Sequence, residues 1–193
     1  MKRFFLILII LFPVFVFGQG RYDWNIKVNG DDIYVRISKW DPIHKIGDSK
    51  YWITIVNRTK KKKEEQYAQI FKTKPKEDCY TLMFSESDWM ILQKDLDIIQ
   101  KKFLEWITIA RNNHVTSFIK SFPVENLSLQ SPLFYNSLFK QYTSMYVEMK
   151  DSKAVLEGWD LSFNEKSIPH FKSKVNEFLR LAKQKDKELE LFK

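Results

Sequence analysis

Two periods divide this chain. The first is a period of two, near the start. Trp24, Ile26 and Val28 alternate with Asn25, Lys27 and Asn29, and Ile33, Val35 and Ile37 alternate with Tyr34, Arg36 and Ser38. Between the two runs sits Asn29-Gly30, a pair that accepts the positive φ of a tight hairpin turn. The loop "DPIHKIGDSK" leads to "YWITIVN", whose β-branched residues from Ile53 to Val56 suit a pleated strand. A run of four lysines, Lys60 to Lys63, reads as a solvated turn with Glu64 and Glu65. "EEQYAQIF" and "DCYTLMF" then read as two further strands.

The period changes at Trp89. Trp89, Leu92, Leu96, Ile99 and Phe103 step by three and four residues and predict one apolar stripe on a helix. Ser85 is the expected N-cap, with Asp88 three residues on as its reciprocal partner. Pro123 disfavours helix at Phe122, so the helix is expected to run to about Ser121. Residues 123–141 carry no clear period. "YTSMYVEMK" and "KAVLEGWDLSF" predict a hairpin around Asp151-Ser152. A last helix from about Asn164 carries Ile168, Phe171, Val175, Phe178 and Ala182, and its end, "KQKDKELELFK", reads as a solvated tail.

One phrase occurs twice. "LMFSESDW" from Leu82 returns as "LSFNEKSI" from Leu161. At an offset of 79 the two helical stripes coincide, Leu82 and Phe84 fall on Leu161 and Phe163, Ser85 on Asn164, Glu86 on Glu165 and Tyr80 on Trp159. Further back, without a gap, Tyr67 falls on Tyr146, Ile70 on Met149 and Lys74 on Lys153. The expectation is an α+β domain with an antiparallel, curved β-sheet and two long amphipathic helices packed on one face. It is built as two pseudo-repeated hairpin-plus-helix units, about 22–122 and 142–193, with 123–141 as an irregular connector. A curved antiparallel sheet followed by a helix after four strands resembles, in fold alone, the single-stranded nucleic-acid-binding modules of the PC4-like and Whirly kind. No motif residue carries a site across.

The first 18 residues stand apart. Lys2 and Arg3 precede an apolar run from Phe4 to Phe17, and Val16 and Gly18 occupy the −3 and −1 positions of a signal-peptidase site. That run is shorter than the roughly 18–20 residues that span a bilayer. Cleavage near Gly18 leaves 19–193 as a single domain, exported to the periplasm or secreted, with no transmembrane segment expected in it. The formal charge falls from +8 to +6 as Lys2 and Arg3 leave. Most remaining cations are lysines, whereas forked recognition of phosphate or bases favours arginine. Cys79 is the only cysteine, so no intrachain disulfide forms.

Candidate chemistry is sparse. His44, His114 and His170 show no metal spacing, and no P-loop, GxSxG or GxGxxG occurs. No cofactor or metal is expected. Glu86 and Glu165 complement the positive ends of their helices. Asn57-Arg58-Thr59 and Asn126-Leu127-Ser128 match the N-glycosylation pattern. The leading expectation is an exported, non-enzymatic binding or interaction protein for an unknown protein or envelope ligand. A rival is a basic single-stranded nucleic-acid or polyanion binder using the outer sheet face, through Tyr34, Arg36, Trp40, Trp52, Arg58, Lys60, Lys61, Lys62 and Lys63. Against it, the loop cations are expected to divide between the two ends of the sheet. A third class is an enzyme with a fold-assembled Glu/His site. N-terminal sequencing of the protein recovered outside the cytoplasm is expected to read from Gln19; protein retained in the cytoplasm with residues 1–18 intact would contradict export.

Overall fold

A computed structural model describes residues 20–39, 50–72, 81–123, 144–158 and 161–192. The leader, Trp40, His44, Cys79, Tyr80, Asn126, Trp159 and the segment 124–143 lie outside the described residues. The first half runs β1 (Arg21–Val28), β2 (Asp31–Lys39), β3 (Tyr51–Asn57), α1 (Arg58–Ile70), β4 (Thr81–Ser85) and α2 (Glu86–Asn112). The second runs β5 (Phe118–Pro123), β6 (Ser144–Lys150), β7 (Lys153–Gly158), β8 (Leu161–Phe163) and α3 (Ser167–Glu190). The strands make two four-stranded antiparallel sheets, β1-β2-β3-β4 and β5-β6-β7-β8. The architecture is α+β, but with two sheets where one was expected and three helices where two were.

Local chemistry explains the turns. Asn29 and Gly30 both take positive φ, 50° and 89°, and Asn25↔Tyr34 and Trp24↔Val35 pair across the hairpin. Asp151 and Ser152 do the same between β6 and β7, with φ of 50° and 64°. The expected cap of α2 is present in full. Ser85 Oγ accepts from Asp88 N at 3.1 Å, and Ser85 N donates to Asp88 Oδ2 at 3.2 Å. Such a cap contributes about 1 kcal/mol.

The stretch expected as one strand over 153–163 is two paired strands, β7 and β8, α3 starts at Ser167 and not near Asn164, and three further boundaries differ more widely. Residues 58–70 are helix, not a turn and a strand. Asn57 caps that helix by accepting from Lys60 N at 3.0 Å, and its Lys, Glu, Gln and Ala residues favour helix over strand. The gapless correspondence therefore stops at β4: Tyr67 and Ile70 lie exposed on a helix, Tyr146 and Met149 on a strand. Second, α2 ends at Asn112, because His114 turns left-handed at φ 55° and Asn113 Nδ2 donates back to Ile109 O at 2.8 Å. Beyond that turn the chain forms an edge strand, β5. Third, the tail from Lys183 continues α3 to Glu190, because Asp186 on it is buried. Asn57 is itself buried and used as a cap, which removes the first glycosylation pattern from the folded surface.

One core joins both sheets and the two long helices. Ile26, Ile33, Val35, Ile53, Ile55, Leu82 and Phe84 line the inner face of the first sheet, and Met145, Val147, Leu156, Leu161 and Phe163 that of the second. Both expected helical stripes are buried against them, together with Ile107, Ala110 and Leu179. The two long helices run antiparallel along their seam. Trp89 Nε1 donates to Asn176 Oδ1 at 2.8 Å, Asn176 Nδ2 donates to Gln93 Oε1 at 2.6 Å, and Lys172 pairs with Asp97. At 27 and 24 residues they span about 40 and 36 Å, twice the roughly 19 Å width of a four-stranded sheet. Each helix therefore starts on its own sheet and finishes on the other.

The far end of α3 shows this most clearly. Phe178 stacks on Trp24 of β1, with centroids 4.8 Å apart and rings within 4° of parallel. Two turns further on, Tyr22 and Tyr51 each donate a hydroxyl to Asp186, one to each carboxylate oxygen, at 2.8 Å. Gly20 allows that approach, since a Cβ there would stand 2.1 Å from Asp186 Oδ1. The far end of α2 reaches the second sheet: Lys120 on β5 sits 4.2 Å from the Trp106 ring centroid. Among the described residues no helix is long and apolar enough to cross a membrane.

Burial, and then the bond to Asp186, raises the pKa of both Tyr22 and Tyr51 above the ordinary phenol value. A raised folded-state pKa means the stabilisation is complete below about pH 10, where unfolded tyrosine is neutral, and is lost as pH rises above it. Urea denaturation across pH 8–11 is thus expected to show a fall in stability above about pH 10 that Tyr22→Phe/Tyr51→Phe flattens. Asp186→Ala is expected to cost about 1–3 kcal/mol at neutral pH by leaving both hydroxyls without their acceptor.

Candidate functional site

The outer face of the first sheet, turned away from the long helices, holds Asp23 and Asn25 on β1, Tyr34 and Arg36 on β2, and Trp52 on β3. α1 lies across β2 on this side. Its first turn is fixed by three polar contacts: Asp32 N donates to Thr59 Oγ1 at 2.8 Å, Asn57 Nδ2 donates to Asp31 Oδ2 at 2.9 Å, and the Arg58 guanidinium lies 4.3 Å above the Tyr34 ring centroid. Arg36 covers the same ring at 5.2 Å, and its Nη2 donates to the Tyr34 hydroxyl at 2.5 Å. Arg36 Nε donates to Asp23 Oδ1 at 2.9 Å. Partial burial of Asp23 works against its charge, but hydrogen bonds from Tyr34 and Arg36 outweigh that and hold the carboxyl below its ordinary pKa.

Between α1 and this face opens a cleft of about 600 Å³ lined by Asn25, Asp32, Arg58, Thr59, Lys62, Lys63 and Gln66. Three cations, two amides and a hydroxyl face it beside one carboxylate, and that carboxylate is paired with Lys27 at 2.9 Å. The lining therefore carries a net positive charge.

Of the residues singled out in the sequence, Arg58, Lys62 and Lys63 line the cleft, and Tyr34 and Arg36 form the floor beneath Arg58. Lys60 is half-buried and Lys61 exposed on other sides of α1. Trp52 points to the same face but is only 2% exposed, so it does not present a ring to solvent. Trp40 lies outside the described residues. The division of charge between sheet ends fails for Arg58 to Lys63, because a helix lays them along the face instead of leaving them in an end loop. Asn25, Asp32 and Gln66 were missed: nothing in the sequence brings β1 beside residue 66 without α1.

Glu86 and Glu165 do not meet. Each takes a cation from the far part of the other long helix, Glu86 from Lys183 and Glu165 from both amino groups of Arg111 at 2.5 and 3.1 Å. His114 and His170 are exposed and do not line the cleft. Among the described residues no group of three or more His, Cys, Asp or Glu side chains is placed to hold a metal ion. On the second sheet, a 2.5 Å bond to Glu157 and then burial push the Tyr146 hydroxyl up to about 12. Compared with protein-family models, curated proteins and solved structures, the chain matches none.

The lowered Asp23 pKa carries a pH prediction. A depressed carboxylate stabilises the fold above its unfolded pKa of about 3.9 and loses that contribution as pH falls through the lower folded value. Asp23→Asn is expected to lower the denaturation midpoint at pH 7 slightly and to match the parent at the most acidic pH at which both remain folded. An equal deficit at every pH would show that packing, not charge, is what Asp23 supplies.

Proposed function

We propose that this is an exported, non-enzymatic binding protein whose ligand is anionic and is taken by the cleft between α1 and the first sheet. The observation that carries the reading is the convergence of Arg58, Lys62 and Lys63 on one cleft, with Asn25, Thr59 and Gln66 supplying neutral donors. Arg58 is held over Tyr34, so its guanidinium is positioned before the ligand arrives. Lysines beside it act as strongly hydrated point charges, which suits a charged surface or chain more than one forked contact. The basic and apolar leader ending near Gly18 supports a location at the envelope or beyond. The common order of four strands and a helix in each half, with the recurring "LMFSESDW" and "LSFNEKSI", supports a duplicated ancestral half. In that reading α1 is an addition to the first copy, and the cleft arose with it.

Heparin chromatography of the mature chain tests the ligand class. Retention at low salt is expected, with Arg58→Ala/Lys62→Ala/Lys63→Ala lowering the slope of log affinity against log salt by about 2–3. No retention of the parent at low salt, or an unchanged slope in the variant, would contradict an anion site here.

A further inference from the structure

Beyond the cleft, α1 carries an exposed apolar tip. Tyr67 is 61% exposed, Ile70 71% and Phe71 66%, the three most exposed large apolar side chains among the described residues of the first half. Tyr67 and Phe71 stack on each other, with centroids 6.0 Å apart and rings within 6° of parallel. The tip is continuous with the basic lining. Lys63, Tyr67 and Ile70 are spaced i, i+4 and i+7, so they share one side of the helix. Around them, the stretch from Arg58 to Lys72 contains six cations against two carboxylates.

We infer that α1 docks the protein on an anionic lipid surface, with Lys62 and Lys63 at the headgroups and Tyr67, Ile70 and Phe71 inserted at the acyl boundary. This rests on the reading above that the cleft side of α1 takes negative charge. Basic side chains next to exposed apolar ones are what an interfacial helix needs, since each signal alone gives marginal attachment. A single-stranded nucleic acid fits less well. The Tyr34 ring is buried under two guanidinium groups, the Tyr67 and Phe71 rings already stack on each other, and the most exposed member of the tip, Ile70, offers no flat face to a base.

The test is co-sedimentation of the mature chain with phosphatidylcholine vesicles, with and without phosphatidylglycerol, alongside heparin retention. Binding is expected only with phosphatidylglycerol present and is expected to weaken with salt. Ile70→Ser/Phe71→Ser is expected to weaken it about tenfold while leaving heparin retention unchanged. All the altered side chains are exposed, and an unchanged thermal midpoint checks that the variant folds. Absence of vesicle binding with heparin retention intact would overturn the lipid inference alone; absence of both would overturn the anion site as well. Vesicle binding indifferent to the double variant would also overturn it. So would single-stranded DNA binding at the same salt that exceeds vesicle binding and is lost in that variant.

Discussion

The rest of the structure depends on the exchange of helix ends between the two sheets. A four-stranded sheet has one apolar face, and a single helix laid over it covers only a stripe. Here each face receives the first part of its own helix and the last part of the other. The Trp89–Phe171 and Phe163–Phe171 edge contacts, at 5.9 and 5.5 Å, sit where the helices pass. Neither half can close its core alone, because the Trp24–Phe178 stack and the Asp186–tyrosine bonds are supplied across the junction. The surface ion pairs of Glu86 and Glu165 are consequences of that crossing more than its cause, since exposed pairs contribute about 0–1 kcal/mol.

The same constraint leaves the outer faces of both sheets uncovered by the long helices. With the inner faces consumed by the helices, the outer face of the first sheet is where α1 packs. α1 fills part of it and converts the remainder into a cleft with charged walls. The buried Asp186 is a structural group: its two oxygens are occupied by hydroxyls of the fold itself. In contrast, Lys62 and Lys63 are exposed, and α1 is secured at its first turn by Asn57, Thr59 and Arg58.

How much was legible in the sequence depends on the range of each signal. The hairpins at Asn29-Gly30 and Asp151-Ser152, the Ser85 cap and both apolar stripes are local patterns, and each reads out locally. α1 was misread because Tyr67 and Ile70, apolar residues that a strand would bury, are left exposed, so period gave the wrong clue and only the Asn57 cap and the Lys-Glu-Gln composition argued for helix. The end of α3 was misread because a single buried Asp among lysines looks solvated until two tyrosines more than 130 positions away are seen to meet it. For the candidate site, Arg58, Lys62 and Lys63 stood out in the sequence, but their gathering along one cleft depends on the helix. The division into two sheets was hidden for a similar reason: a hairpin pattern states which neighbours pair, not where a sheet ends.

Native-state hydrogen exchange across increasing denaturant tests the exchange of helix ends most directly. If the two sheets share one core through α2 and α3, amides at Ile53 and Ile55 and those at Val147 and Leu156 will open with one common free energy and one dependence on denaturant. Opening of the second sheet at a distinctly lower free energy, with the first sheet and the end of α3 still protected, would mean that the halves fold separately and that the account is wrong.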